Sequence, residues 1–78
     1  MITVMEVRRR AKNLTQAALA QEVGITQPEV SLIEGGTVPP KAEVRAALAQ
    51  VLEVDPVHLQ LSYDEYLRVV RPIENLQG

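Results

Sequence analysis

The sequence predicts an all-α domain assembled from short helices. Three observations carry that expectation. Helix-start signatures, in which Ser, Thr or Asp precedes a carboxylate or a proline, recur along the chain. Apolar residues between them repeat at helical spacing, as Val44, Leu48 and Leu52 do. The chain is 46% apolar but holds only two aromatic residues, Tyr63 and Tyr66. Its core must therefore come from Ala, Val, Leu and Ile, a palette suited to closely packed helices.

Each element follows from its boundary residues. Thr3-Val4-Met5-Glu6 is a capping box, so a helix runs from there to about Lys12. Asn13 can take the left-handed conformation that ends it. Thr15 caps a second helix, Gln16 to about Val23, and Gly24 stops it because glycine adopts the left-handed conformation cheaply. Ile25 is expected as a buried turn residue. Thr26-Gln27-Pro28-Glu29 is another capping box, with Pro28 in a first turn where no hydrogen bond is lost. The third helix reaches about Glu34 and Gly35-Gly36 ends it. A loop of Thr37 to Pro40 leads to a fourth helix from about Lys41 to Leu52. Asp55-Pro56 opens a short fifth helix to about Gln60. Ser62-Tyr63-Asp64-Glu65 is again a capping box, so residues 62–70 read as a helix. The alternation of Tyr66, Arg68 and Val70 equally permits a strand. Pro72 is expected to end either one, leaving Ile73 to Gly78 frayed.

With 78 residues the chain is expected to form one small domain with a modest core. Cysteine is absent, which excludes disulfides and thiolate metal sites. His58 cannot build a metal site alone, so no metal and no cofactor are expected. A partner subunit is then the expected source of added stability. No nucleophile with a base, no carboxylate pair with a histidine and no phosphate-binding glycine loop appears, so an enzyme is not expected. No apolar run is long enough to span a membrane and no signal peptide is visible, so a cytoplasmic protein is expected.

The net charge of −2 argues against nucleic-acid binding through bulk charge. Its distribution is uneven. Arg8, Arg9, Arg10 and Lys12 crowd into the first helix, whereas Asn13 to Pro40 contains no Lys or Arg. Leu19, Ala20 and Val23 give the second helix one apolar face, and Ile25, Val30 and Ile33 give the third its match. Gln27, Glu29, Ser31 and Leu32 then point away from that core. A helix held by its back can enter the major groove of DNA, so the pair reads as a helix-turn-helix.

The run Thr15-Gln16-Ala17-Ala18-Leu19-Ala20, Val23-Gly24-Ile25-Thr26-Gln27, Val30-Ser31, Ile33-Glu34 and Gly36 resembles the Cro and phage-repressor class of helix-turn-helix domains, the XRE family. The similarity extends from about Met5 to Leu61. It includes a proline after the third helix, the Leu48-Ala49 and Leu52 helix, and the Val54-Asp55-Pro56 and Leu59 ending. The resemblance implies a compact five-helix, lambda-repressor-like fold that binds pseudo-palindromic double-stranded DNA operators as a homodimer. Residues 1–61 would be the DNA-binding domain and 62–78 a C-terminal extension contacting a dimer mate or another partner.

The same resemblance implies roles for single residues. Gln27 matches a base-reading position, and glutamine suits adenine. Glu29 and Ser31 match further groove-facing positions, Glu29 also being the reciprocal cap of Thr26. Leu32 stands where the family often has a polar or basic residue, and can touch a thymine methyl. Gln16 matches a phosphate-gripping glutamine. Thr15, Thr26, Thr37, Lys41, Arg9 and Arg10 complete the expected phosphate set. Glu34 matches a structural acid that pairs with a base of the first helix, for which Arg9 is the candidate. Arg8 stands where the family prefers an apolar residue, which leaves the first helix open to two registers. Glu53 replaces a usual glycine. With no Arg or Lys on the third helix, the salt dependence of binding should be shallow.

Two functions follow from this. One is a transcriptional repressor acting as a homodimeric operator binder, its length leaving no room for a ligand-sensing domain. The other is an antitoxin that binds its operator and neutralises a toxin through residues 61–76, where Leu61, Tyr63, Tyr66, Leu67, Val69, Val70 and Ile73 supply apolar surface.

Overall fold

Thr3 sets the start of the first helix, α1 (Val4–Ala11), by accepting the Glu6 N–H at 3.3 Å. The structure is a computed structural model describing the backbone of residues 1–77 and the side chains of residues 1–70. The capping box expected here is only half formed. The Glu6 carboxylate turns instead to Arg10, one helical turn on, at 2.8 Å. Thr3 is fully buried, and its hydroxyl donates to the Glu34 carbonyl at 2.7 Å, which ties the start of α1 to the end of the third helix.

Asn13 is left-handed, with φ of 57°, and turns the chain toward α2 (Gln16–Val23). The Thr15 hydroxyl accepts the Ala18 N–H at 3.0 Å, and Gly24 closes α2 at φ 83°. Helix α3 (Gln27–Glu34) carries the complete box between Thr26 and Glu29. Helix α4 (Ala42–Leu52) follows with Lys41 before it, and no side chain caps its start. The fifth helix expected over 56–60 shortens to one 3₁₀ turn, Pro56–His58, capped by Asp55. Three residues cannot close the α-helical bonding pattern, so the chain settles for the tighter turn.

The core is Met5, Leu19, Ala20, Val30, Ile33, Leu48, Leu52 and Leu59, all buried, with Val23, Ile25 and Val44 half-buried against it. Leu19 and Ala20 face Val30 and Ile33 across the α2–α3 contact, where the small Ala20 lets the helices approach. Burial of Val4, Met5 and Arg9 settles the register of α1. Arg8 lies half-buried beside the core and donates from Nε to the Leu52 carbonyl at 2.9 Å. It thus caps α4 from outside, which explains an arginine where an apolar residue was expected. Glu53 ends α4 in a left-handed conformation, φ 55°, and its carboxylate pairs with Lys12.

Of residues 62–70, those from Tyr63 on are helical. Helix α5 (Tyr63–Gln77) starts where Ser62 accepts the Glu65 N–H at 3.2 Å. The extended character near Thr3 is confined to a single antiparallel bridge, Thr3 to Ser62. Hydrogen bonds from Tyr63 N to Ile2 O and from Val4 N to Leu61 O flank it, at 2.8 and 2.9 Å, so the extension is stitched to the N-terminus. The helix also continues through Pro72, where the sequence reading ended it. Pro72 has no N–H, so the Arg68 carbonyl loses its donor, and the ladder resumes beyond it. The backbone is helical to Gln77; Gly78 and the side chain of Ile73 lie outside the described residues.

Candidate DNA interface

Helix α3 divides cleanly between two faces. Val30, Ile33 and Glu34 are buried, while Gln27, Glu29, Ser31 and Leu32 are exposed. Positions 30, 33 and 34 share one side of a helix and 29, 31 and 32 fall on the others; Gln27, two turns before Glu34 on the same side, is exposed at the first position of the helix. Leu32 is half exposed, an apolar side chain amid polar ones.

The Thr26–Glu29 box occupies both partners. Glu29 N–H donates to the Thr26 hydroxyl at 3.3 Å, and the Thr26 N–H and hydroxyl both donate to Glu29 Oε1 at 3.1 Å. The Thr26 hydroxyl proton is therefore spent inside the box, whereas Thr15 keeps its proton. The first N–H groups of α2, on Gln16 and Ala17, have no intrahelical acceptor and open toward the same edge. Thr37 and Lys41 are exposed on either side of the loop that follows α3. Gln60 holds that loop in place, with Nε2 donating to the carbonyls of Ile33 at 3.0 Å and Val38 at 2.8 Å. Nothing in the local sequence singled out Gln60, because its partners lie more than twenty positions away.

A buried ion pair supports the interface from behind. Arg9 Nε donates to Glu34 Oε2 at 2.6 Å and Nη2 to Oε1 at 2.9 Å, while Nη1 reaches the Leu14 carbonyl at 2.7 Å. Hydrogen bonding to Glu34 raises the Arg9 pKa and outweighs the desolvation that opposes it. Glu34 Oε1 also accepts from Gln16 Nε2 at 3.1 Å, and Gln16 Oε1 accepts from Gln27 Nε2 at 3.4 Å. The expected phosphate and base residues of the two helices are thus joined in one chain of hydrogen bonds.

The basic run of α1 is placed differently from its expected role. Arg9 is buried, and Nε, Nη1 and Nη2 each donate one hydrogen bond within the protein. Arg8 is spent on the Leu52 carbonyl, Arg10 pairs with Glu6, and Lys12 pairs with Glu53. Arg10 remains exposed and can exchange its partner. Among the described residues, Lys41 and Arg45 form no ion pair. The residues of α1 are therefore first a scaffold for α3 and α4. The charges were legible in the sequence and the Arg9–Glu34 pair followed from the resemblance, but the partners of Arg8 and Lys12, the Leu52 carbonyl and Glu53, were not.

Three comparisons bear on this geometry. A family model described as a helix-turn-helix domain matches residues 4–61. Among solved structures, the crystal structure of a hypothetical transcription factor, NHTF from Neisseria, superposes with a TM-score of 0.69 at 26% identity. The match covers 83% of this chain and 73% of that one. A search of curated proteins found no match. Matching more than half of its length, with α2, the Gly24 turn and α3 packed as such a unit requires, this chain belongs to the helix-turn-helix domain family.

Proposed function

We propose that this chain is a sequence-specific double-stranded DNA-binding transcriptional regulator, a repressor that acts as a homodimer with α3 in the major groove. One observation carries the reading. Helix α3 is anchored through Val30, Ile33 and Glu34 and presents Gln27, Glu29, Ser31 and Leu32 outward from an otherwise rigid unit. Gln27 reads a base, Glu29 and Ser31 supply further polar contacts, and Leu32 meets a thymine methyl. Gln16, Thr15, Thr37 and Lys41 hold the phosphates on either side. A cytoplasmic location belongs to the same reading; among the described residues no helix is long and apolar enough to cross a membrane.

The homodimer is supported by α5, which carries Tyr63, Tyr66, Leu67 and Val70 on one side and Asp64, Glu65 and Arg68 on another. Selection of bound duplexes from a random DNA pool tests the main claim. An operator with two related half-sites is expected. Gln27→Ala should weaken binding to it by roughly 1–3 kcal/mol without unfolding the domain. Unaltered discrimination among operator variants would remove Gln27 from the groove.

A further inference from the structure

The loop over residues 37–40 has little of its own to hold it. It leaves α3 through a left-handed Gly36, φ 77°, and the Thr37 N–H reaches the Leu32 carbonyl at 3.3 Å. Pro39 and Pro40 have no N–H to give. The loop is closed from outside by Gln60, which lies half-buried just ahead of α5. Its Nε2 carries two N–H groups, and both are used. One donates to the Ile33 carbonyl at 3.0 Å and the other to the Val38 carbonyl at 2.8 Å. A single amide nitrogen thus spans the turn, from the end of α3 to the residue before the prolines.

The donors that this turn carries are uncharged. Thr37 is exposed, and neither its hydroxyl nor the Val38 N–H has an acceptor among the described residues. Two adjacent donors held in place suit the oxygens of a phosphate, and such a contact reads no base. Lys41 is anchored separately, since its carbonyl accepts the Arg45 N–H at 2.8 Å in the first turn of α4. We infer that Gln60 is a positioning residue for DNA binding: it closes the turn after α3 so that the Thr37 hydroxyl and the Val38 N–H meet a backbone phosphate, an uncharged grip independent of Lys41. The inference rests on α3 and its flanking loop being the DNA interface, as proposed above. A residue outside the helix-turn-helix then sets affinity, and the choice of bases stays with α3.

The test uses the full chain, a duplex selected from a random pool by the wild type, and a scrambled duplex of the same length. Gln60→Met keeps the length of the side chain and removes both donors. Gln60→Leu is the second variant, and thermal unfolding sets a temperature at which every variant compared is folded. Gln60→Met should weaken binding to both duplexes by the same factor, roughly threefold to tenfold, the size of one lost hydrogen bond. Its salt slope should match wild type, because only charged contacts release counterions. Lys41→Gln should instead make the slope shallower by about 1. Thr37→Val should cost affinity in the wild type and nothing further in Gln60→Met, whereas Lys41→Gln should cost the same in both. Unchanged affinity in Gln60→Met, or full additivity with Thr37→Val, would overturn the inference. A loss confined to the selected duplex would overturn it too, by placing the effect on α3. If Gln27→Ala, Thr37→Val and Lys41→Gln all bind as wild type does, the interface lies elsewhere and the proposed reading itself fails.

Discussion

Arg9 and Glu34 are the residues on which α1 and α3 depend together. Their pairing is bidentate and nearly dry, so each is tolerable only because the other is present. Glu34→Ala leaves a buried guanidinium without its carboxylate. The expected loss is about 3–5 kcal/mol in urea unfolding, a large share of what so small a domain has. A loss under roughly 1 kcal/mol would mean that water reaches Arg9 freely. The Lys12–Glu53 pair is the opposite case. Glu53 is exposed, and hydrogen bonding to Lys12 holds its carboxyl below the ordinary carboxylate range. A folded-state pKa below the unfolded one contributes stability above the unfolded value, and loses it as pH falls through the folded one. Lys12→Met should therefore lie below wild type in thermal unfolding near neutral pH. The gap should close as the solution is acidified below about pH 4. A gap that stays constant into acid would assign the effect to lost packing of the Lys12 stem. Of these two pairs, Arg9 with Glu34 followed from the family resemblance. Lys12 with Glu53 did not, because nothing local relates positions 41 apart in the chain.

At the scale of elements, helices α1 to α4 were legible because their boundaries are written in local chemistry. Thr3, Thr15 and Thr26 each accept an N–H three residues on, and Gly24 turns left-handed where α2 stops. Gly24 is a sharp test of that logic. A Cβ there would meet nothing within 4 Å, so substitution strains only the backbone. Gly24→Ala should cost roughly 1–2 kcal/mol and Gly24→Asn less, because asparagine tolerates the left-handed region better. Equal melting temperatures for the two variants would show that the turn relaxes. The reciprocal half of a capping box was less legible. Glu6 and Glu65 sit where a box needs them, yet Glu6 pairs with Arg10 and Glu65 with Arg68. Only Glu29, with no cation near in sequence, turns back to its cap. Spacing defines which partners are in reach, and competition among them is decided by charge.

For the whole molecule, α5 is the element that changes shape, and it is the proposed dimer contact. The principal extents are 40 × 22 × 21 Å, longer in one direction than a bundle of short helices requires. Its start is bound to Ile2 and Thr3, His58 meets Tyr66 edge-on with ring centroids 5.4 Å apart, and Tyr63 stacks on Tyr66 at 6.0 Å. Deleting Tyr63 to Gly78 should leave residues 4–61 folded and shift a sedimentation profile from dimer to monomer. A truncated chain that stays dimeric would place the contact elsewhere on the domain.

The sequence by itself determined the helices α1 to α4, the turn at Gly24 and the outward set on α3. Caps, glycine turns and apolar spacing act within a few residues and need no partner to be recognised. The tertiary structure alone decided what the polar residues do once those helices pack. It spent Arg8 on the end of α4, withdrew Arg9 behind α3, drew Gln60 across to the loop after α3 and carried α5 through Pro72. It also joined Glu34, Gln16 and Gln27 into one directed chain of hydrogen bonds. Direction passes only between groups already in contact, and those contacts join two helices, α2 and α3, that follow one another in the sequence but meet only when packed.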